Sequence, residues 1–155
     1  MTERAPVIGP GNGLLPRGQL YLTAPAQVAY AASNTYEKIA GTWAGNELFM
    51  FETNANGTLT YKGPDNTACL FTGSSDLRAS KITTLTYGLF KNGELVPLAE
   101  TPIGVQVPGR VRNVSITAIV TLNSGDYLEV FSKCPDDTVT LTAETLSITC
   151  WGDHR

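Results

Sequence analysis

The side chains that could do chemistry are few in this sequence, and their spacing does not bring them together. His154 is the single histidine and stands next to the last residue, where fraying of the chain would defeat the positioning that acid–base catalysis needs. Asp136 and Asp137 are neighbours in a Pro-Asp-Asp turn, where their carboxylates point apart and serve the turn better than paired catalysis. We therefore expect no catalytic residue and no enzyme.

Metal and cofactor sites are not indicated either. The three cysteines have no C-x-x-C spacing of the kind that zinc and redox sites use. A calcium site at the Asp136 turn would need further oxygen ligands that the sequence does not place nearby. Gly9, Gly11 and Gly13 are spaced like a phosphate loop, but no strand precedes them and no helix follows. We expect no metal and no cofactor.

The cysteines are predicted to be structural. Cys69 and Cys150 fall inside candidate strands, which favours the role of small apolar core residues. Cys134 stands beside Pro135 and is predicted to be exposed. Since an odd number of cysteines argues against a disulfide framework, we expect three reduced thiols.

Charge and hydropathy exclude several classes of protein. The chain has 11 basic and 14 acidic residues, a net charge of −3, so no positive field is available to bind nucleic acid phosphates. No apolar run is long enough to span a membrane, and the Gly- and Pro-rich start has no apolar signal core. We expect a chain that is not secreted and contacts neither nucleic acid nor membrane. Only 16% of its residues are charged, well below the roughly 25% typical of soluble domains.

The composition divides the 155 residues into an arm and one domain. Up to about residue 33, glycine and proline recur so densely that we predict an extended N-terminal arm over residues 1 to 33 and a domain over 34 to 155. The arm is too apolar for a solvated linker, which suggests that it anchors the protein to a partner. Its candidate contact residues are Arg4, Val7, Ile8, Leu14, Leu15, Arg17, Leu20 and Tyr21.

From residue 33 onward the pattern is all β. Between residues 114 and 122 apolar and polar side chains alternate with period two, interrupted only by Ile119. Further strand candidates are 36–43, 47–53, 57–61, 68–72, 82–90, 105–107, 127–132, 139–143 and 146–151. Asn56-Gly57, Asn92-Gly93 and Ser124-Gly125 separate candidates in the manner of tight turns. Many short strands with such turns predict an antiparallel sandwich, jelly roll or barrel.

One strand candidate predicts a surface for self-association. If Leu128 and Val130 point into the core, Tyr127 and Phe131 point outward, and exposed aromatics in register suggest a subunit interface. The alternative is that a loop or the arm of the same chain covers them.

Three motifs follow in order: GTLTYKG at 57–63, YGLFKNG at 87–93 and LNSGDYLEV at 122–130. Together they resemble the jelly-roll module of the tumour necrosis factor and complement globular-head type, and in particular the versions found in structural proteins of tailed bacteriophages. The resemblance covers about residues 36 to 151. It implies an antiparallel jelly roll that forms a homotrimer.

The resemblance also implies a function. It points to a non-enzymatic virion protein, a capsid decoration (head accessory or stabilising) protein or head fibre, assembled in the bacterial cytoplasm. The arm would attach it at the capsid surface to the major capsid protein or another virion protein. Arg110 and Arg112, which flank a turn, are a secondary contact for an acidic partner surface, unless they are simply solvated. The alternative function is a receptor- or glycan-binding module of a tail fibre or baseplate.

Overall fold

The computed structural model describes residues 15 to 153, which form twelve β-strands and contain no helix, and hence none that could cross a membrane. The strands are β1 (Arg17–Leu22), β2 (Ala26–Ala29), β3 (Glu37–Lys38), β4 (Trp43–Phe49), β5 (Phe51–Thr53), β6 (Leu59–Tyr61), β7 (Thr67–Ala79), β8 (Thr83–Lys91), β9 (Glu94–Val105), β10 (Arg112–Leu122), β11 (Tyr127–Lys133) and β12 (Thr140–Asp153). Arg4, Val7, Ile8, Leu14 and His154 lie outside the described residues.

The strands form two antiparallel sheets. Sheet A has the order β10-β7-β12-β1-β4, with β2 also paired to β12. Sheet B has the order β5-β6-β11-β8-β9, with β3 also paired to β11. The last strand of the chain lies between β7 and β1 in sheet A, so long connections cross between the sheets, as in a jelly roll. The predicted all-β antiparallel jelly-roll sandwich is confirmed.

Alternation along the strands builds the core between the sheets. On β10, Val114, Ile116, Val120 and Leu122 are buried, whereas Ile119 points outward. On β11 the predicted core residues Leu128 and Val130 are buried as well. The largest fully buried side chains of the described residues are Tyr61, Tyr87, Phe71, Leu20, Ile39, Leu59, Leu77, Leu85, Leu89, Leu122, Leu128 and Leu141.

The predicted tight turn at Asn92-Gly93 joins β8 to β9. Asn92 has φ +53° and Gly93 has φ +83°, so both central residues are in the left-handed region that a two-residue hairpin loop favours. The Asn92 backbone N–H also donates to the Tyr127 carbonyl at 2.9 Å, which ties the hairpin to β11.

Residues 17 to 29, which the sequence assigns to the arm, contribute two strands to sheet A. β1 pairs with both β12 and β4, and β2 pairs with β12. Leu20 and Val28 are buried in the core. The dense glycines and prolines bound these short strands instead of preventing them, and their pairing depends on β12, more than a hundred residues away in sequence.

The cysteines are free and buried. The prediction that Cys69 and Cys150 lie in the core is confirmed. The prediction of an exposed Cys134 is wrong: the inward alternation of Val130 and Ser132 continues to Cys134, whose Sγ lies 3.3 Å from Thr83 Oγ1.

Candidate self-association surface

The central part of the outer face of sheet A consists of three cross-strand rows, each taken in order from β4, β1, β12, β7 and β10; the rows on either side of them carry Asp153 and Asp76. The rows are Phe49, Arg17, Trp151, Leu70 and Ile119; Asn46, Gln19, Thr149, Thr72 and Thr117; and Ala44, Tyr21, Ser147, Ser74 and Ser115. The residues between these positions, among them Leu20, Ile148 and Ile116, point into the core. The serines and threonines fit this role because their small polar side chains tolerate a half-buried pleated surface.

Charge is almost absent from these rows. Arg17 is the single charged residue among the three rows of five. It lies on β1 directly opposite Trp151, 3.9 Å from Glu47 and over the Phe49 ring. A solvated surface carries roughly 25–35% charged residues. Depletion of charge is typical of the buried centre of protein interfaces. These three rows therefore have the composition of a contact surface.

One of the rows is apolar and exposed. Ile119 is 75% exposed, Trp151 is 49% exposed and Leu70 is 42% exposed. Leu70 lies directly opposite both of the others, Ile119 on β10 and Trp151 on β12, so the three form a continuous strip. Leu15, where the described chain begins, is exposed beside the same strip. Contiguous apolar patches of this kind mark interaction sites.

Sequence reasoning missed this face, although a signal was present. Ile119 interrupts the alternation of β10 because it is an apolar residue at a position that faces outward. Leu70 and Trp151 likewise occupy positions where alternation calls for a polar residue. Only the pairing of β10, β7 and β12 shows that the three exceptions are adjacent.

The predicted interface residue Phe131 lies on the outer face of sheet B, away from this strip. Its ring packs against Phe90 with centroids 4.2 Å apart, and the rings of Phe90 and Tyr36 pack in a T-shaped arrangement with centroids 4.9 Å apart. Nearby, Lys38 Nζ bonds to Glu129 Oε2 at 2.6 Å. Contacts within the chain therefore cover part of the Phe131 ring, and its role in a subunit interface stays a prediction.

Tyr127, the second predicted interface residue, is half-buried at the start of β11. Its backbone N–H donates to Asn92 Oδ1 at 3.0 Å, and Thr60 pairs with it on β6. These contacts hold the ends of three strands together. Neither Tyr127 nor Phe131 adjoins the outer face of sheet A.

The described residues of the predicted arm divide into two groups. Arg17 and Tyr21 lie on the outer face of sheet A, and Leu15 adjoins it, so these three remain available to a partner. Leu20 points the other way and is fully buried in the core, so it cannot be a contact for another protein.

The two arginines of the predicted secondary contact differ. Arg112 is half-buried and donates from Nη1 to the Gly104 carbonyl at 2.6 Å, so it stabilises its own domain. Arg110 is exposed in the turn that precedes β10.

The carboxylate of Asp136 serves local structure. Asp136 Oδ1 accepts hydrogen bonds from Thr138 Oγ1 at 2.6 Å and from its backbone N–H at 2.9 Å, and these bonds lower the pKa of Asp136 below its usual value. Within residues 15 to 153 no group of three or more His, Cys, Asp or Glu side chains could hold a metal ion.

No protein-family model and no curated protein matches the sequence. Among solved structures, the fold is similar to that of the Eiger TNF of S. frugiperda, with a TM-score of 0.65. The likeness covers 90% of this chain and 94% of that chain at 12% sequence identity. At this identity the comparison establishes the fold alone, which is a TNF-like jelly roll.

Proposed function

We propose that this chain is a non-enzymatic structural protein that acts as a homotrimer, assembled through the outer face of sheet A. The observation that carries the proposal is the three-row surface, in which Arg17 is the single charged residue, with its exposed strip of Trp151, Leu70 and Ile119. The TNF-like resemblance supplies the threefold symmetry. A threefold contact is heterologous, because each subunit presents this face to a different surface of its neighbour, and three such contacts close a ring.

Burial of the strip would stabilise such a ring. Removing a large apolar side chain from water contributes about 1.5–3 kcal/mol when burial is complete. Each of the three side chains has roughly half or more of its surface still to lose. The surrounding serines and threonines have small side chains that demand little ordering, so a close contact would sacrifice little side-chain entropy.

Within this proposal, the trimer is a capsid decoration protein or head fibre of a tailed bacteriophage, bound to the major capsid protein or another virion protein. Three motifs in phage-like order and the low charge of the chain support this role. The attachment segment is the chain that leads to Leu15, shorter than the arm predicted from composition, because the strands of sheet A begin at Arg17.

A truncation of residues 2 to 14 tests the attachment. The shortened protein should fold and keep its oligomeric mass, because the described core starts beyond the deletion. Cryo-electron microscopy of the phage particles should then show capsids without its density, whereas particles that carry the full chain show it. Full occupancy by the truncated protein would contradict attachment through this segment.

A longer deletion, of residues 2 to 20, serves as the matched contrast. It removes Leu20 and most of β1, which lies between β12 and β4 in sheet A. We expect this variant to lose several kcal/mol of stability, since deleting one buried leucine side chain alone typically costs about 2–5 kcal/mol. Loss of capsid binding in that variant would therefore report unfolding and not the anchor.

A further inference from the structure

We infer that the turn at Arg110 is a second docking surface, which binds a partner protein through a carboxylate flanked by apolar side chains. The surface consists of Val107, Arg110 and Val111 from the connection between β9 and β10, together with Ile82 from the connection between β7 and β8. It shares no residue with the outer face of sheet A.

The turn is held in one conformation. The Arg110 backbone N–H donates to the Val107 carbonyl at 3.1 Å, and Gly109 supplies the positive φ, +76°, that follows a proline in such a turn. The Gly109 N–H donates to the Ala79 carbonyl at 2.9 Å, and Arg78 Nη1 donates to the Gly109 carbonyl at 3.1 Å. The turn is therefore fixed to the end of β7, and a partner would find it preorganised.

Arg110 is the cation that this arrangement leaves without an acceptor. Among residues 15 to 153, it is the one Lys or Arg whose side chain has no hydrogen bond or ion pair. Its neighbours are engaged: Arg78 bonds to Glu144 Oε2 at 2.9 Å, and Arg112 bonds to a carbonyl. A free guanidinium matches a carboxylate in a two-point hydrogen bond, and arginine is enriched at interface hot spots.

Three exposed apolar side chains lie at the same end of the sandwich as this cation. Ile82 is 64% exposed, and Val107 and Val111 are 45% and 46% exposed. Because Thr83 pairs with Val105, Ile82 and Val107 extend beyond the ends of the same strand pair. Exposed aliphatic residues that exclude water around an arginine strengthen its bond to an acidic partner. One free cation on a chain of net charge −3 suits a protein carboxylate far better than a polyphosphate backbone.

The docking surface lies at the end of the sandwich away from Leu15. Ala68 lies beside Leu15, and Ala79 contacts the turn, so the length of β7 separates the two ends. Eleven steps of a strand span about 36 Å at 3.3 Å each. A partner bound at Arg110 would therefore leave the Leu15 end of the protein free.

A displayed library of random peptides, selected on the immobilised full chain, provides the probe. We expect enriched peptides to carry Asp or Glu next to Leu, Phe or Val. In fluorescence anisotropy, Arg110→Glu should weaken the binding of the best peptide at least tenfold, and Arg110→Lys should weaken it less. Lys62→Glu is the control, because it makes the same charge change at an exposed position directly after β6, and it should leave binding unchanged.

Three outcomes would overturn the inference. Selection could yield no acidic peptide, or the enriched peptides could bind the Arg110→Glu protein as well as the wild type. Loss of binding in Ile119→Lys, with binding retained in Arg110→Glu, would place the peptide on the outer face of sheet A instead. Circular dichroism melting of each variant separates these results from misfolding.

Discussion

Trp151 and Leu70 face each other across β12 and β7, and both side chains are exposed on the outer face of sheet A. A strand pair whose outer face is solvated usually carries polar side chains at such positions. On the opposite sheet, Phe90 and Phe131 are also outward, but they cover one another. The continuous exposed strip of Ile119, Leu70 and Trp151 lies on sheet A, which is why we assign self-association there.

Gly57 should be more sensitive to substitution than Gly125, although both have positive φ, +86° and +97°. A Cβ at Gly57 would lie 2.5 Å from Trp43 Nε1, whereas a Cβ at Gly125 has no neighbour within 4 Å. In urea denaturation we expect Gly125→Ala to lose about 1 kcal/mol from backbone strain alone. Gly57→Ala should lose roughly 1–3 kcal/mol more, from overpacking against the indole. Equal losses would show that the contact with Trp43 does not matter.

The three thiols should be unreactive towards alkylating reagents in the folded protein. Cys69, Cys134 and Cys150 are all free and buried, so iodoacetamide should modify none of them under native conditions. After unfolding in denaturant without reductant, mass spectrometry should find three modified cysteines. A protein that gains only one modification would contain a disulfide bridge, contrary to this expectation.

Glu100 should make the free energy of unfolding depend on pH in the acidic range. The Tyr36 hydroxyl donates a hydrogen bond to its carboxylate, and Lys133 Nζ lies 3.4 Å away; both lower the pKa of Glu100 below its usual value. A carboxyl group whose pKa falls on folding stabilises the protein above the unfolded pKa, and that stabilisation is lost as pH falls through the folded pKa.

Replacing Glu100 by glutamine keeps the size of the side chain and removes its charge. The Glu100→Gln variant should unfold at lower urea than the wild type at neutral pH, and the two midpoints should converge as the pH falls from neutral through the folded pKa of Glu100, which lies below its usual value. A difference that stays constant across this range would mean that the charge of Glu100 does not stabilise the fold.

The sequence predicted the elements that depend on residues close together in the chain. Period two on β10, the buried pair Leu128 and Val130, and the Asn92-Gly93 turn all follow from side-chain alternation and backbone preference. The sequence pattern did not predict β1, because its place in sheet A depends on pairing with a strand at the other end of the sequence. The surface on sheet A could not be predicted for the same reason. Ile119 indicates an apolar strip only once the pairing of β10 with β7 places Leu70 beside it.

Ile119→Lys distinguishes assembly through the outer face of sheet A from assembly through Tyr127 and Phe131. Ile119 is exposed in the single subunit, so lysine should leave the fold intact, whereas an unpaired ammonium group buried in an interface is strongly unfavourable. Thr84→Lys, at an exposed strand position on sheet B, is the control for the added charge. The double variant Tyr127→Ser and Phe131→Ser should lose stability, because it removes the packing against Phe90, but it should keep the wild-type mass.

Light scattering at micromolar concentration tests the central claim most directly. The wild type should have a mass of about 50 kDa, three times the 16.6 kDa of one chain, and Ile119→Lys should have the mass of a single chain. Thr84→Lys should remain trimeric. A monomeric wild type, or an Ile119→Lys protein that stays trimeric while the Tyr127 and Phe131 double variant dissociates, would contradict assembly through the outer face of sheet A.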